Sequence, residues 1–130
     1  MEHPLMFDED DSVLHRVRAL ALAFPGAAEK VSHGRPAFYT TKVFAYYGGS
    51  IKVDGAYVQH DRSLVVHPDE EEARALAEEE RCYRPAYLGP SGWIGVDLGA
   101  DTDWTEVREL LEASYRTTAG ARLVAALDAR

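Results

Sequence analysis

The sequence predicts an α+β fold, with one antiparallel sheet and helices packed on one of its faces. Three observations carry this expectation. Residues 29–67 are rich in β-branched and aromatic side chains, cut into runs by turn chemistry. Helical periodicity is confined to the segments on either side. The elements also come in blocks, without the alternation of strand and helix that builds a parallel sheet.

The first element is a helix over 12–24. Val13, Leu14, Val17, Leu20, Ala21 and Phe24 form its apolar stripe, Asp11 or Ser12 is the N-cap, and Pro25-Gly26 stops it. Between Glu29 and His67, runs such as Val43-Phe44 and Leu64-Val65-Val66 predict four or five short strands in a meander. The turns fall at Gly34-Arg35-Pro36, Gly48-Gly49-Ser50, Asp54-Gly55 and His60-Asp61-Arg62-Ser63. A second helix is predicted over 70–81, entered at Asp69 with Glu72 three residues on. Its apolar face, Ala73, Leu76 and Ala77, is narrow, which suits a surface position. Trp93–Leu98 reads as a further strand. Asp103 and Glu106 open a helix over 104–118 with Val107, Leu110, Leu111, Tyr115 and Thr118 on one side. Gly120 breaks it, and Leu123, Val124 and Leu127 mark a short last helix.

A chain of 130 residues supports one domain, 1–130, in which the acidic residues 1–10 are expected to be a flexible N-terminus. The single cysteine, Cys82, excludes an intrachain disulfide. The start of the chain lacks the basic-then-apolar pattern of a leader, and no run approaches the ~18 apolar residues that span a membrane. These features predict a cytoplasmic protein without a membrane partner. The net charge of −8 opposes non-specific binding to nucleic acid. Charge is uneven, however: residues 69–80 hold seven acids against Arg74, whereas 29–62 hold five Lys or Arg against three acids.

The most suggestive cluster is Ser32-His33-Gly34-Arg35. A hydroxyl, an imidazole and a guanidinium around a glycine can hold a phosphate or carboxylate, and the same residues make an ordinary polar turn. The tyrosines and Trp93 can stack planar ligands or fill a core. The acidic run is a solvated face or a docking surface. Cys82 reads as structural, since the acids before it oppose a thiolate. His3, His15, His33, His60 and His67 lack metal-ligand spacing, and no nucleophile elbow or phosphate loop is present. No catalytic residue, metal or cofactor is predicted.

Several segments together resemble the MmcQ/YjbR family. They are Ser32-His33-Gly34-Arg35-Pro36-Ala37-Phe38, Lys42-Val43-Phe44-Ala45, Tyr83-Arg84-Pro85-Ala86-Tyr87-Leu88-Gly89 and Gly92-Trp93-Ile94-Gly95-Val96-Asp97-Leu98, with Asp103-Trp104 and Ser114-Tyr115-Arg116. The resemblance covers about Phe24 to Leu127. It implies a fold like that of the bacterial frataxin CyaY and a DNA-binding role through a double-wing arrangement of strands and loops. Two features depart from it: the acidic net charge, and Thr117–Ala121 where the family has Ala-Pro-Lys. The acids do not match frataxin's positions residue by residue, so no iron ligand is assigned.

The functional expectation is a non-enzymatic binding module for nucleic acid, bound weakly, or for a small anionic ligand. Its site is predicted at His33, Arg35, Lys42, Arg84, Tyr87 and Trp93, with His33, Arg35 and Arg84 converging beside Trp93 or Tyr87. The alternatives are a protein–protein adaptor using the helix 69–81 and an enzyme of unrecognised class.

Overall fold

The computed structural model describes residues 4–130; Glu2 and His3 lie outside the described residues. The element order is α1 (Ser12–Leu22), β1 (Ala28–Ser32), β2 (Arg35–Tyr39), β3 (Val43–Val53), β4 (Ala56–Val66), α2 (Glu70–Ala77), β5 (Cys82–Tyr83), a single 3-10 turn (Gly89–Ser91), β6 (Ile94–Asp97), α3 (Trp104–Thr118) and α4 (Ala121–Asp128). The six strands form one antiparallel sheet in the order β1-β2-β3-β4-β6-β5. The fold is α+β, as the periodicities predict.

Register separates the two faces of the sheet. Phe38, Ala45, Val66 and Ile94 stand in one cross-strand row, with Tyr47, Leu64 and Val96 beside it. These side chains meet Leu14, Val17 and Ala21 of α1 and Val107, Leu110, Leu111 and Tyr115 of α3 in the core. α1 and α3 therefore share one face. Phe24, Phe44 and Tyr115 form an aromatic cluster with ring centroids 5.0–6.0 Å apart. Ser114, fully buried, ties α3 to the sheet: its hydroxyl accepts the His67 N–H at 2.8 Å and donates to the Phe44 carbonyl. Asp11 caps α1 by accepting the Val13 N–H at 2.9 Å, and its other oxygen accepts the Tyr47 hydroxyl.

The opposite face carries the row Ala37, Tyr46, Val65, Gly95 and Tyr83. Gly95 lies beneath Tyr83, whose ring occupies the space a β-carbon would need.

Two predicted turns lie inside strands. Gly48-Gly49-Ser50 belongs to β3 and His60-Asp61-Arg62-Ser63 to β4. Their irregularity is a bulge, with Tyr47 opposite Leu64 but Gly49 opposite His60. Gly48 takes φ 87°, and the Arg35 guanidinium occupies the space beside it, so glycine is required there for conformation and for room. The meander is thus four strands, two of them 11 residues long. Of the meander's true turns, one spans 40–42 between β2 and β3, and the other two are the pairs His33-Gly34 and Asp54-Gly55. Both residues of each pair have positive φ, the type I′ geometry of a two-residue hairpin. Beyond Tyr46 and Ser63, β3 and β4 pair only with each other among the described residues, so their tip projects as a two-stranded ribbon.

The predicted helix 70–81 ends at Ala77. Glu78, Glu79 and Glu80 follow, and three like charges at the negative end of the helix dipole disfavour its extension. Leu76 is the buried residue of α2. The segment before α1 makes specific contacts: the Met6 N–H donates to the Gly34 carbonyl at 2.8 Å, and Glu9 lies 3.3 Å from Arg18.

Candidate functional site

The predicted site residues divide between two cavities on either side of the 84–93 loop. His33, Arg35 and Tyr87 line a cleft of about 660 Å³ on the second face of the sheet, together with Tyr46, Tyr57 and Gln59. Arg84 and Trp93 line a neighbouring cavity of about 510 Å³. Lys42, exposed in the β2–β3 turn, lines neither. His33, Arg35 and Arg84 therefore do not converge on one pocket. Loop 84–88 is pinned to the β3–β4 ribbon by the bond from the Ala86 N–H to the Ser50 carbonyl, 2.7 Å, and this crossing parts the two spaces.

The cleft is built from turn chemistry. The β1–β2 hairpin sets His33 at φ 53° and delivers Arg35 to the first position of β2. The Ser32 hydroxyl lies 3.2 Å from His33 Nδ1. Arg35 is 8% exposed. Its Nη2 donates to Gln59 and, at 3.2 Å, to Asp61. Its Nη1 reaches the Met6 carbonyl at 3.5 Å, the outer limit of a hydrogen bond. Arg35 thus clamps the hairpin to the ribbon and gives one wall of the cleft partly compensated positive charge. That role was hidden in the sequence because Gln59 and Asp61 are 24 and 26 residues away.

Aromatic side chains form the other wall. Tyr57 and Tyr87 stack with centroids 6.1 Å apart and planes at 27°, and their hydroxyls meet. Lys52 Nζ lies 5.7 Å from the Tyr57 ring. Tyr87 is 82% exposed and has φ 68°. The Leu88 N–H donates to the Ala86 carbonyl at 2.8 Å, closing a γ-turn centred on Tyr87.

A family model described as YjbR matches residues 22–117, well over half of the chain. The chain belongs to the YjbR family. No curated protein matches it. Both walls of the cleft fall inside the matched region of this YjbR domain, apart from Met6.

Burial raises the proton affinity of three side chains of the YjbR domain, Cys82, Tyr83 and Tyr47. Cys82 is half-buried, and burial, followed by the charge of Glu79, pushes its thiol up to about 11. The main cause is therefore burial, where the sequence pointed to acidic neighbours. Tyr83 is pushed up to about 12, chiefly by burial, and hydrogen-bonds the Ser63 hydroxyl at 2.7 Å. Burial and Asp11 push the Tyr47 phenol up as well. One feature that sequence reasoning missed is the pair His60 Nδ1 and Asp97 Oδ1, 2.7 Å apart, with the imidazole stacked on Tyr83 at 4.1 Å. These residues are 37 apart in sequence, and only the β4–β6 pairing brings them together. Neither lines either of the two cavities described above. Among the described residues, no group of three or more His, Cys, Asp or Glu could hold a metal ion. No helix there is long and apolar enough to cross a membrane.

Proposed function

We propose that this YjbR domain is a non-enzymatic binding module whose second-face cleft takes a small heteroaromatic anion, of about mononucleotide size. The observation that carries this reading is the meeting of His33, Arg35 and the Tyr57–Tyr87 pair around one cavity of about 660 Å³. That volume falls in the range of small-molecule sites, roughly 300–1,000 Å³. Tyrosine faces suit a planar ring. The guanidinium and imidazole suit an acidic group, and Ser32, Ser50 and Gln59 line the same space for a polar ring edge.

A thermal-shift screen tests the reading, using mononucleotides, sugar phosphates, aromatic acids and short oligonucleotides on the wild type, Tyr87→Ala and His33→Asn. Asparagine tolerates the left-handed backbone at position 33. A heteroaromatic anion should stabilise the wild type, with the shift lost in Tyr87→Ala and reduced in His33→Asn. Stabilisation that persists in both variants would defeat the assignment.

A second reading is single-stranded nucleic acid, favoured by the projecting ribbon with exposed Lys52 and Tyr57 beside Tyr87. The net charge of −8 sets its ceiling. Binding at physiological salt should be no tighter than the non-specific range of roughly 10⁻⁴ to 10⁻⁶ M. Sub-micromolar anisotropy at ~150 mM salt would favour it over the small molecule.

A further inference from the structure

The cavity on the other side of the loop has a different chemistry. α2 presents Glu70, Ala73, Arg74 and Ala77 to it, a single stripe at helical spacing. Pro68 and Ile94 are buried at its edge, and Trp93 forms a wall. The Trp93 ring is held on two sides, 5.5 Å from Tyr46 and 5.2 Å from His67. Arg84 and Arg74 come to the space from different elements, the loop and the helix.

The two arginines have only light commitments. Arg84 is exposed, and its Nη2 bond, to the Gly89 carbonyl of its own loop, is long at 3.4 Å. Arg74 pairs with Glu70 at 2.6 Å, but these side chains are 75% and 83% exposed. An i,i+4 pair so open to solvent holds its partners weakly. With Glu70 offsetting Arg74, the cavity carries one uncompensated guanidinium charge.

The frame around these groups is fixed. His67 Nε2 lies 2.8 Å from the Ser91 carbonyl. A carbonyl only accepts, so this nitrogen carries the proton and ties the 89–92 turn to the end of β4. His67 Nδ1 is buried with no partner among the described residues, a cost that the fold accepts to hold this wall. The backbone of His67 is anchored in turn to Ser114.

We infer that this cavity is a second binding site, for a small organic carboxylate with an apolar body. The acid would lie in the fork of Arg84 with Arg74 beside it, and the apolar body against Trp93 and the Ala73–Ala77 stripe. Guanidinium geometry matches a carboxylate through two parallel bonds. A single net positive charge favours a monoanion over a doubly charged phosphate ester. The apolar lining from Trp93, Pro68, Pro90, Ala73 and Ala77 favours an apolar body over a sugar, with Ser91 the one hydroxyl residue along this lining. The site is separate from the Tyr57–Tyr87 cleft and does not depend on that cleft being occupied.

The test is an amide and indole NMR titration with phenylacetate, and with benzyl alcohol as its uncharged counterpart. Phenylacetate should shift the Trp93 indole N–H and the Ala73 and Ala77 amides. Arg84→Gln should weaken it about tenfold, the loss expected for one charge-assisted contact. Arg84→Lys should fall between, keeping the charge but losing the fork, and Arg74→Gln should weaken binding through the other wall. Arg84→Gln should leave the melting temperature unchanged, because the side chain is exposed. Tyr87→Ala should leave phenylacetate binding intact, which separates this site from the cleft. Equal binding of benzyl alcohol, an unchanged affinity in Arg84→Gln, no binding at all, or shifts confined to Gly48, Gly49 and Ala86 would each overturn the inference.

Discussion

Tyr87 occupies a backbone conformation that L-residues avoid, with φ 68° at the centre of a γ-turn. Comparing Tyr87→Ala with Tyr87→Gly isolates the cost of that conformation. Both variants remove the ring and its stacking on Tyr57, worth roughly 0.5–1.5 kcal/mol, so this loss cancels between them. Alanine keeps the left-handed strain, about 1–2 kcal/mol. Glycine relieves it but adds roughly 0.4–1 kcal/mol of unfolded-state entropy. Glycine should therefore be the more stable of the two by about 0.5–1 kcal/mol, the reverse of the usual order at a loop position. Urea unfolding of the two variants measures this as a difference in midpoint at constant slope. An alanine variant more stable than the glycine variant by the full entropy term, roughly 0.4–1 kcal/mol, would show that the γ-turn stores no strain. The account of Tyr87 as a side chain held out over the cleft at a conformational cost would then fail.

Three further outcomes follow from the packing and ionisation described above. Gly95→Ala places a methyl group in the space of the Tyr83 ring, and overpacking of this kind should cost roughly 1–3 kcal/mol in urea unfolding. The Cys82 thiol, pushed up to about 11, should alkylate with iodoacetamide at pH 8 roughly 100-fold more slowly than an exposed cysteine and recover a normal rate in urea. Tyr83, raised from 10.0 to about 12, keeps its proton in the fold at pH values where the unfolded chain has lost it. Its contribution is full below pH 10 and is lost as pH rises through about 12, so the urea midpoint should fall across that window and fall less in Tyr83→Phe.

Local signals made most of the fold legible. Asp11, one of the two candidates, caps α1, Asp103 caps α3, and α3 covers the predicted 104–118. What the sequence concealed depended on distant partners. Gly48-Gly49 looks like a turn because glycine marks turns and bulges alike. The difference lies in Arg35 packing on Gly48 and in β4 absorbing extra residues opposite it. β5, two residues long, has no periodicity to detect and exists through its pairing with β6. At the candidate site, His33, Arg35 and Tyr87 share a cleft despite their separation in sequence. The division of Arg84 and Trp93 into a second cavity was invisible because it follows from the path of the 84–93 loop, set by the bonds Ala86–Ser50 and His67–Ser91.

The central claim is that the second-face cleft binds a small heteroaromatic anion. The most direct measurement is an amide NMR titration of the wild-type protein with the mononucleotide or aromatic acid that stabilises it most in the thermal screen. The account predicts saturable shifts at Gly48, Gly49, Ser50, Ala86 and Leu88, around the cleft formed by His33, Arg35, Tyr57 and Tyr87. Shifts confined to α2 and the Arg84 cavity, or none at saturating ligand, would contradict it.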